Sequence, residues 1–471
     1  MASAVVTSQF EQQLPQPYLV ASNHISLAEI ISAFSFALDL TEGAMPGHAL
    51  RTCVLGMRLG EALFLPAQRM NNLYYGLLLK DVGCNNNFDH MSEILGEGKR
   101  SSRTADEAEE SNRSEGSGLS MFTVLWNTGH RYQSPLRRAA NLLHLGFAQR
   151  RKGEDIISVR CDRGARILRK LGLGDDVAES VRGVDEKWDG SGYPNRRTRH
   201  HIPLESRIIS IAQFLDVYAL EHGREAAIRV LCERSERWFD PKIVRLAVQL
   251  HRQGTLWRYA AHVTPEIETR AAVLDFSPDG MNQLKAGDID LICEAFSDVV
   301  DAKSSFTFRH SLGVTQVAIE MARVIGLTKD RTRLVHRAAL LHDLGKLRVP
   351  NSILDKKQAL SREEWAVVRE HPILTREILS RIGPFAELAQ IAGAHHEKLD
   401  GSGYPDRLKA ADLPIEARII TVADMYGAMT EDRPYRPGLT PEQALYNISR
   451  EVPQRLDADC FEALETIVAN S

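Results

Sequence analysis

Apolar residues recur three and four positions apart along much of the chain, which is the spacing of one face of an α-helix. A clear example lies in 311–325 and comprises Val314, Val317, Ala318, Met321 and Ile325. No run of about eighteen apolar residues is present, and the nearest approach, Ile25–Leu40, contains Glu29 and Asp39. The pattern predicts an all-α protein of amphipathic helices without a membrane-spanning segment.

The pattern also repeats within the chain. The stretch GLLLKDVGC at 76–84 matches AALLHDLGK at 338–346, an offset of 262 residues. The stretch 188–213 matches 399–424, an offset of 211 residues, and both contain DGSGYP. The two offsets differ by 51 residues, so the first copy carries an insertion at about 85–145. Part of this insertion is rich in Ser, Glu, Arg and Gly, which predicts a flexible loop.

The repeat predicts two tandem helical domains. We place the first copy at 1–255, a linker at 256–285 and the second copy at 286–471. The first copy is expected to be a regulatory or dimerisation module that packs on the second as a pseudo-homodimer. A homodimer of the whole chain, or other signalling proteins, are the expected macromolecular partners.

Five histidines and two aspartates form an ordered series in the second copy. They are His310, His342, Asp343, His371, His395, His396 and Asp424. Several of them follow an apolar residue by three or four positions, which predicts that they lie on the inward faces of helices. A single inward histidine is more often a hydrogen-bonded core residue. The whole series favours a site for one or two divalent metals that activate water for hydrolysis.

The first copy lacks most of these donors. His310 corresponds to His48 and Asp343 to Asp81. The other positions of the series hold Lys80, Arg160, Val184, Asp185 and Gln213. Lysine and arginine have no lone pair for a metal, and valine has no donor atom. We therefore predict that the first copy does not build a two-metal centre.

Composition narrows the class of protein. The chain is 43% hydrophobic and 25% charged, with a formal net charge of −4 and a pI of about 6.5. A chain with this charge balance has no excess of positive charge with which to bind bulk nucleic acid or an anionic membrane. The six cysteines form no Cys-x-x-Cys pair, which is typical of reduced thiols. The first residues show no basic start and no apolar core of signal-peptide length, so we expect a cytoplasmic protein.

Four motifs together resemble a known family. HDLGK at 342–346, His-Pro at 371–372, HHEKLDGSGYP at 395–405 and ADMYGAMTEDRPYR at 423–436 resemble the HD-GYP subfamily of HD-domain metal-dependent phosphohydrolases. The resemblance covers about 290–455 with all the main motifs and about 20–250 in degenerate form. It implies a phosphodiesterase that opens the cyclic dinucleotide cyclic di-GMP to pGpG, GMP or both.

The resemblance also implies roles for individual residues. Two divalent ions, iron or manganese, would be bound. One would be held by His310, His342, Asp343 and Asp424, and the other by Asp343, His371, His395 and His396. Lys346 would neutralise charge on the phosphate oxygens, and Arg433 and Arg436 would grip the phosphates. Tyr404 would stack on a base or bond to Lys346, although survival of the DGSGYP loop in the first copy favours a fold-maintaining role.

Three positions depart from the family pattern. Gly427 replaces the second aspartate of A-D-x-x-D-A, which the first copy keeps as Asp216. Loss of such a supporting carboxylate is expected to weaken metal affinity by about 10–100-fold. Thr375 replaces a glycine, and Phe306 replaces a glutamate associated with a third metal, so two metals are expected.

Two other functions stay open at this point. One is a phosphohydrolase acting on another nucleotide or a phosphate ester. The other is a metal-binding signalling scaffold without catalytic activity, which Gly427 and the degenerate first copy favour. Lys346 and the two arginines favour the enzyme.

Overall fold

The structure is a computed structural model that describes residues 26–41, 46–83, 158–277, 284–303, 310–432 and 437–470. Within these ranges the regular secondary structure is helical, and β-type pairing occurs only as isolated bridges, among them Ser235 with Phe239 and Asp400 with Lys409. The prediction of an all-α protein is confirmed. The insertion expected at about 85–145 lies outside the described residues.

The described residues of the first part of the chain form mostly helices. They are α1 (Leu27–Thr41), α2 (His48–Ala62), α3 (Ala67–Leu79), α4 (described over 158–170), α5 (Gly174–Arg182), α6 (Leu204–His222), α7 (Arg224–Glu233), α8 (Pro241–Arg252) and α9 (Glu266–Asp275). A 3₁₀ turn at Arg199–His201 precedes α6. No described helix is long and apolar enough to cross a membrane.

The second part of the chain is helical as well. Its helices are α10 (Ala286–Asp301), α11 (His310–Ile325), α12 (Lys329–Leu341), α13 (Asn351–Leu354), α14 (Arg362–Val368), α15 (His371–Ser380), α16 (Ala386–Gly393), α17 (Ile415–Thr430), α18 (Pro441–Ser449) and α19 (Ala458–Ala469). Three 3₁₀ turns lie between them, at Leu344–Arg348, Gly383–Phe385 and Ala410–Asp412. The apolar stripe of α11 is buried against α12, α17 and α19, as its spacing predicts.

Local sequence explains where the helices of the second part begin. Ser361 caps α14, where its hydroxyl accepts the Glu364 N–H and the Glu364 carboxylate accepts the Ser361 N–H. Thr440 and Gln443 form the same capping box at α18, whose first residue is Pro441. Such boxes satisfy backbone N–H groups that a helix start leaves without partners.

Helix bounds recur at the two offsets seen in the sequence. Helices α3 and α12 match at both ends when the larger offset is applied, and the first residues of α6 and α17 are related by the smaller one. The 3₁₀ turns that precede α6 and α17 are also related by the smaller offset. Both DGSGYP loops contain a cis Tyr–Pro peptide. The described parts of the two halves therefore share one order of helices.

Helix α1 joins the two halves. Phe34 of α1 stacks on Phe296 of α10 with ring centroids 3.8 Å apart, and the larger offset makes these two residues counterparts. The Arg381 guanidinium lies 3.6 Å from the centroid of the Phe36 ring and pairs with Glu266 of α9. Helix α9, which packs on α1 and α2, falls inside 256–285. That range was expected to be a linker, but it holds a helix with a buried face because Thr269, Ala272 and Val273 point into the core.

Candidate metal centre

The histidine series gathers at the ends of helices. His310 and His371 are the first residues of α11 and α15, His342 follows the end of α12, and His395 and His396 follow the end of α16. Asp424 alone lies inside a helix, α17. The sequence placed these residues on helix faces, and that expectation was wrong by one to three residues for His342, His395 and His396. A helix end suits a ligand because it leaves backbone carbonyls free to orient the side chain.

Three imidazoles cap the helices they follow. Nδ1 of His342, His371 and His395 donates to the carbonyl oxygen of the residue three positions earlier, each at 2.7 Å. Those carbonyls lie in the last turns of α12, α14 and α16, where no intrahelical partner remains. Each hydrogen bond fixes the proton on Nδ1 and directs the Nε2 lone pair inward.

The inward nitrogens crowd together. Nε2 of His371 and Nε2 of His395 are 3.1 Å apart. Because both rings carry their proton on Nδ1, two lone pairs face each other at this distance, which is favourable only with a cation between them. Nε2 of His342 is buried and has no hydrogen-bond partner among the described residues. The residues therefore fit a bound metal ion.

Two carboxylates complete the cluster. Asp343 Oδ1 lies 3.3 Å from Nε2 of His371, and Oδ2 lies 3.3 Å from Nε2 of His342. Asp424 Oδ1 lies 3.2 Å from Nε2 of His310 and 3.7 Å from that of His342. Asp343 thus stands between the two parts of the cluster, with one oxygen toward each.

The donor atoms fall into overlapping groups. His371, His395 and His396 form one, His310, His342 and Asp343 form a second, and His342, His395 and Asp424 form a third. Within each group the ligand atoms lie within 4.8 Å of one another. Imidazole nitrogen and carboxylate oxygen suit several first-row divalent metals, so the donor set does not select one of them.

Burial and charge set the protonation of these groups. Burial lowers the pKa of His371 to about 3 and that of His395 to about 4, and it holds the pKa of His396 well below its usual range. Burial also disfavours the charged form of His342, but the carboxylates of Asp343 and Asp424 outweigh it and raise the pKa of His342 to about 10. The first three imidazoles are therefore neutral, as a metal ligand must be. The raised pKa of His342 reflects the negative charge of Asp343 and Asp424, which a bound cation would neutralise.

Thr375, which replaces a family glycine, ties the centre together. Its hydroxyl donates to the His342 carbonyl oxygen at 2.9 Å and accepts the Gly345 N–H at 2.9 Å. Helix α15, which begins with His371, is thereby bonded to the His-Asp turn. The departure from the family pattern adds a contact.

The structure describes two of the four residues expected to bind substrate, Lys346 and Tyr404. Lys346 Nζ lies 2.6 Å from Asp343 Oδ2, and its side chain is 18% exposed. The Tyr404 ring stacks on His396 with centroids 4.8 Å apart, and the Arg369 guanidinium lies 4.3 Å from the centroid of the Tyr404 ring. Arg433 and Arg436 lie outside the described residues, as does Phe306.

The DGSGYP loop is held by a residue that the sequence analysis missed. The buried Glu397 carboxylate accepts the backbone N–H groups of Asp406, Arg407 and Leu408 at 2.7 to 3.1 Å. A Cβ at Gly403 would lie 2.5 Å from the Glu397 Cα, so only glycine fits there. In the first half, Glu186 accepts backbone N–H groups after its own DGSGYP in the same way. The glutamate present in both copies was the available signal, and the shared geometry supports a fold-maintaining role.

The first half holds cations at the equivalent positions. The Lys80 ammonium pairs with Asp81, and the Arg160 guanidinium pairs with Asp185. Together with Gln213 they line a cavity of about 20 Å³, which is room for about one water molecule. Positive charge from the chain occupies the region where the second half presents lone pairs.

Comparisons with known proteins agree with this geometry. The family model described as "HD domain" matches residues 151–243 and 294–460. The chain is 36% identical over 453 residues to the 3'3'-cGAMP-specific phosphodiesterase 3 of Vibrio cholerae, covering 95% of each protein. It is 39% identical over 153 residues to the cyclic di-GMP phosphodiesterase response regulator RpfG of Xanthomonas campestris, covering 32% of this chain and 40% of that protein. A crystal structure of a cyclic GMP-AMP-specific phosphodiesterase of V. cholerae, V-cGAP3, aligns with a TM-score of 0.63 and 32% identity over 95% of this chain and 98% of that chain.

Proposed function

Because the chain belongs to the HD-domain family and is a metal-dependent phosphodiesterase of the HD-GYP type, we propose that its second half hydrolyses a 3′,3′-linked cyclic dinucleotide. The observation that carries the proposal is the convergence of buried, inward-facing imidazole nitrogens on Asp343 and Asp424. Hydrogen bonds to helix-end carbonyls hold three of these imidazoles in the orientation that a metal ligand would need. The family assignment favours the enzyme over the silent scaffold.

We assign two metal positions to the cluster. His310, His342, Asp343 and Asp424 would hold one ion, and Asp343, His371, His395 and His396 would hold the other. When bound, such a pair supplies an activated water and neutralises charge on the phosphodiester. Asp343 suits the shared position because its two oxygens face the two groups separately. Iron or manganese remains the predicted metal.

Lys346 is assigned to the phosphate. Its ammonium lies beside Asp343 and is partly exposed, so it can turn to a phosphoryl oxygen without leaving the site. There it would act as a point charge that stabilises negative charge growing on the non-bridging oxygens. Arg433 and Arg436 are proposed to hold the second phosphate of the ring. Tyr404 would cover His396 and offer the outer face of the Arg369–Tyr404 pair to a base.

The relatives favour one substrate. The relative that matches both halves of the chain is named as specific for 3'3'-cGAMP, which makes that dinucleotide the first candidate here. Relatives named for cyclic di-GMP match about a third of the chain, and cyclic di-GMP, the substrate expected from the sequence, remains the second candidate. Both contain the same 3′,5′-phosphodiester linkages, so the proposed chemistry is common to them.

A substrate panel tests the proposal. The purified chain would be assayed with 3′3′-cGAMP, cyclic di-GMP, a mononucleotide 3′,5′-cyclic phosphate and bis(p-nitrophenyl) phosphate, with the products separated by chromatography. We expect the highest kcat/KM with a cyclic dinucleotide and a linear dinucleotide as first product. A higher kcat/KM with the cyclic mononucleotide or the aryl diester would refute the assignment of substrate class.

The first half is proposed to be a degenerate duplicate that supports the second. The shared helix bounds and the Phe34–Phe296 stack at equivalent positions favour a pseudo-homodimeric arrangement. Its internal ion pairs at Lys80 and Arg160 would replace the electrostatic role of the metals. We propose the cytoplasm as the location, in keeping with a cyclic dinucleotide substrate.

A further inference from the structure

His310 differs from the other oriented imidazoles of the centre. Its Nδ1 lies 2.7 Å from Oε2 of Glu431, the residue that follows the end of α17. The His310 side chain is 3% exposed and that of Glu431 is 31% exposed. A carboxylate thus takes the place that a carbonyl has at the three other imidazoles.

In the first half, a different carboxylate accepts the hydrogen bond from the equivalent histidine. His48, the counterpart of His310, has its Nδ1 2.7 Å from Oδ2 of Asp216. Asp216 corresponds to Gly427, the position where this chain departs from the family pattern, and Leu220 corresponds to Glu431. One carboxylate is therefore present in each half, but it lies one helical turn later in the second.

Space around Gly427 explains the exchange. A Cβ at Gly427 would lie 3.9 Å from Nδ1 of His310 and 3.1 Å from Cγ2 of Val314. An aspartate there would address the same nitrogen once the Val314 side chain gives by a few tenths of an ångström. Glu431 stands four residues later, just past the end of the same helix, and reaches the His310 nitrogen with a side chain that is one methylene longer. The two carboxylates are alternative acceptors for one N–H group.

A third position changes together with these two. Arg51 of α2 donates to Asp216 at 2.8 Å, and its counterpart on α11 is Gly313. A Cβ at Gly313 would lie 3.5 Å from Oε1 of Glu431. The absence of a side chain at Gly313 therefore leaves room for the Glu431 carboxylate and removes a guanidinium that would compete for it.

We propose that Glu431 is the positioning residue for His310 and takes over the task of the carboxylate lost at Gly427. This assignment rests on the proposed metal-dependent function. Glu431 accepts the Nδ1–H, fixes the ring orientation and keeps the Nε2 lone pair toward Asp424 and the metal position. The weaker metal binding expected from Gly427 alone is then offset by Glu431.

The test measures metal affinity rather than turnover. Metal-free full-length chain would be titrated with Mn²⁺, with free ion followed by electron paramagnetic resonance, for the unsubstituted chain and for Glu431→Ala, Glu431→Gln and the double variant Gly427→Asp with Glu431→Ala. We expect Glu431→Ala to weaken one of the two sites by about 10–100-fold and Glu431→Gln to weaken it less, because its amide oxygen still accepts a hydrogen bond. The double variant should recover most of the affinity. Glu465→Gln, at an exposed position of α19, is the control and should bind like the unsubstituted chain.

The outcomes separate this assignment from the proposed function. If the unsubstituted chain binds no Mn²⁺ or Fe²⁺, the proposed function falls and the assignment falls with it. If it binds two ions and Glu431→Ala binds them equally well, the assignment alone is overturned. A folded Glu431→Ala with weakened binding that an equally stable double variant fails to restore would also overturn it, because the loss would then not come from the missing acceptor at His310. The fold of each variant is checked by its far-ultraviolet circular dichroism and urea midpoint.

Discussion

The close contact between the His-Asp turn and helix α15 gives a sharp test of the site's geometry. A Cβ at Gly345 would lie 2.8 Å from the carbonyl carbon of His371 and 2.9 Å from its Cα, and closer still to its carbonyl oxygen. Ordinary contacts begin near 3.4 Å, so the Gly345→Ala substitution must push the start of α15 back by about 1 Å or more, a strain of about 1–3 kcal/mol. Metal ligands tolerate only about 0.2 Å. The displacement of His371 should therefore remove one metal and lower kcat by about 10²-fold.

The repeat supplies a matched control. At Gly83, the counterpart of Gly345, a Cβ would lie 2.7 Å from the Gly164 nitrogen and would also clash with the Arg160 carbonyl oxygen. Gly83→Ala should lower the free energy of unfolding by a similar amount while both metals and activity are retained. Urea unfolding, metal content and kcat would be measured on each variant. If Gly345→Ala keeps two metals and full activity, or if Gly83→Ala loses as much metal, then the contact at Gly345 does not set the position of His371 in the metal site.

Three further perturbations test other parts of the account. Lys346→Ala should lower kcat by about 10²–10³-fold with metal content unchanged, and Lys346→Arg should lose less; loss of metal from Lys346→Ala would contradict a role confined to phosphate. Removal of metal by a chelator should lower the urea midpoint of the unsubstituted chain. The free energy of unfolding should fall by about 3–4 kcal/mol if the ion was present at about 100–1,000 times its Kd. The midpoint of Asp343→Ala should not change, and an equal shift in both chains would contradict the assigned site. Burial raises the pKa of Asp301 to about 6 although Ser311 donates to its carboxylate at 2.6 Å. The folded chain then holds this proton more tightly than the unfolded chain, so stability falls as pH rises from 3.8 to about 6, by up to about 3 kcal/mol. Asp301→Asn should therefore raise the urea midpoint at pH 7.5 but not at pH 4. Equal midpoints for the variant and the unsubstituted chain at pH 7.5 would show that ionisation of Asp301 does not destabilise the fold.

The sequence predicted which side chains form the site, but not which groups accept their Nδ1 hydrogen bonds. The histidine and aspartate series, together with the family resemblance of its motifs, identified the residues that converge. It did not identify the acceptors for Nδ1, since the carbonyls of Ala339 and Ala392 carry no residue-specific signal. Glu431 lies 121 residues from His310, and only folding shows that the two meet.

Local patterns also misplaced some boundaries. Helical spacing continued past the ends of α12 and α16, so His342 and His395 were expected on helix faces. An apolar pattern cannot show that a helix ends where the Nδ1 of an imidazole donates to a carbonyl oxygen of its last turn. Likewise, the short helix α9 looked like part of a linker because its buried face consists of the small or weakly apolar residues Thr269, Ala272 and Val273.

The most direct test of the central claim is turnover as a function of bound metal. Metal-free chain, purified without oxygen, would receive Fe²⁺ or Mn²⁺ in steps, and hydrolysis of 3′3′-cGAMP and of cyclic di-GMP would be measured on samples whose metal content is assayed in parallel. We predict that turnover of one cyclic dinucleotide rises to a plateau at two bound ions per chain and is absent from Asp343→Ala. Two bound ions without turnover of either dinucleotide, or turnover that does not depend on bound metal, would contradict this prediction.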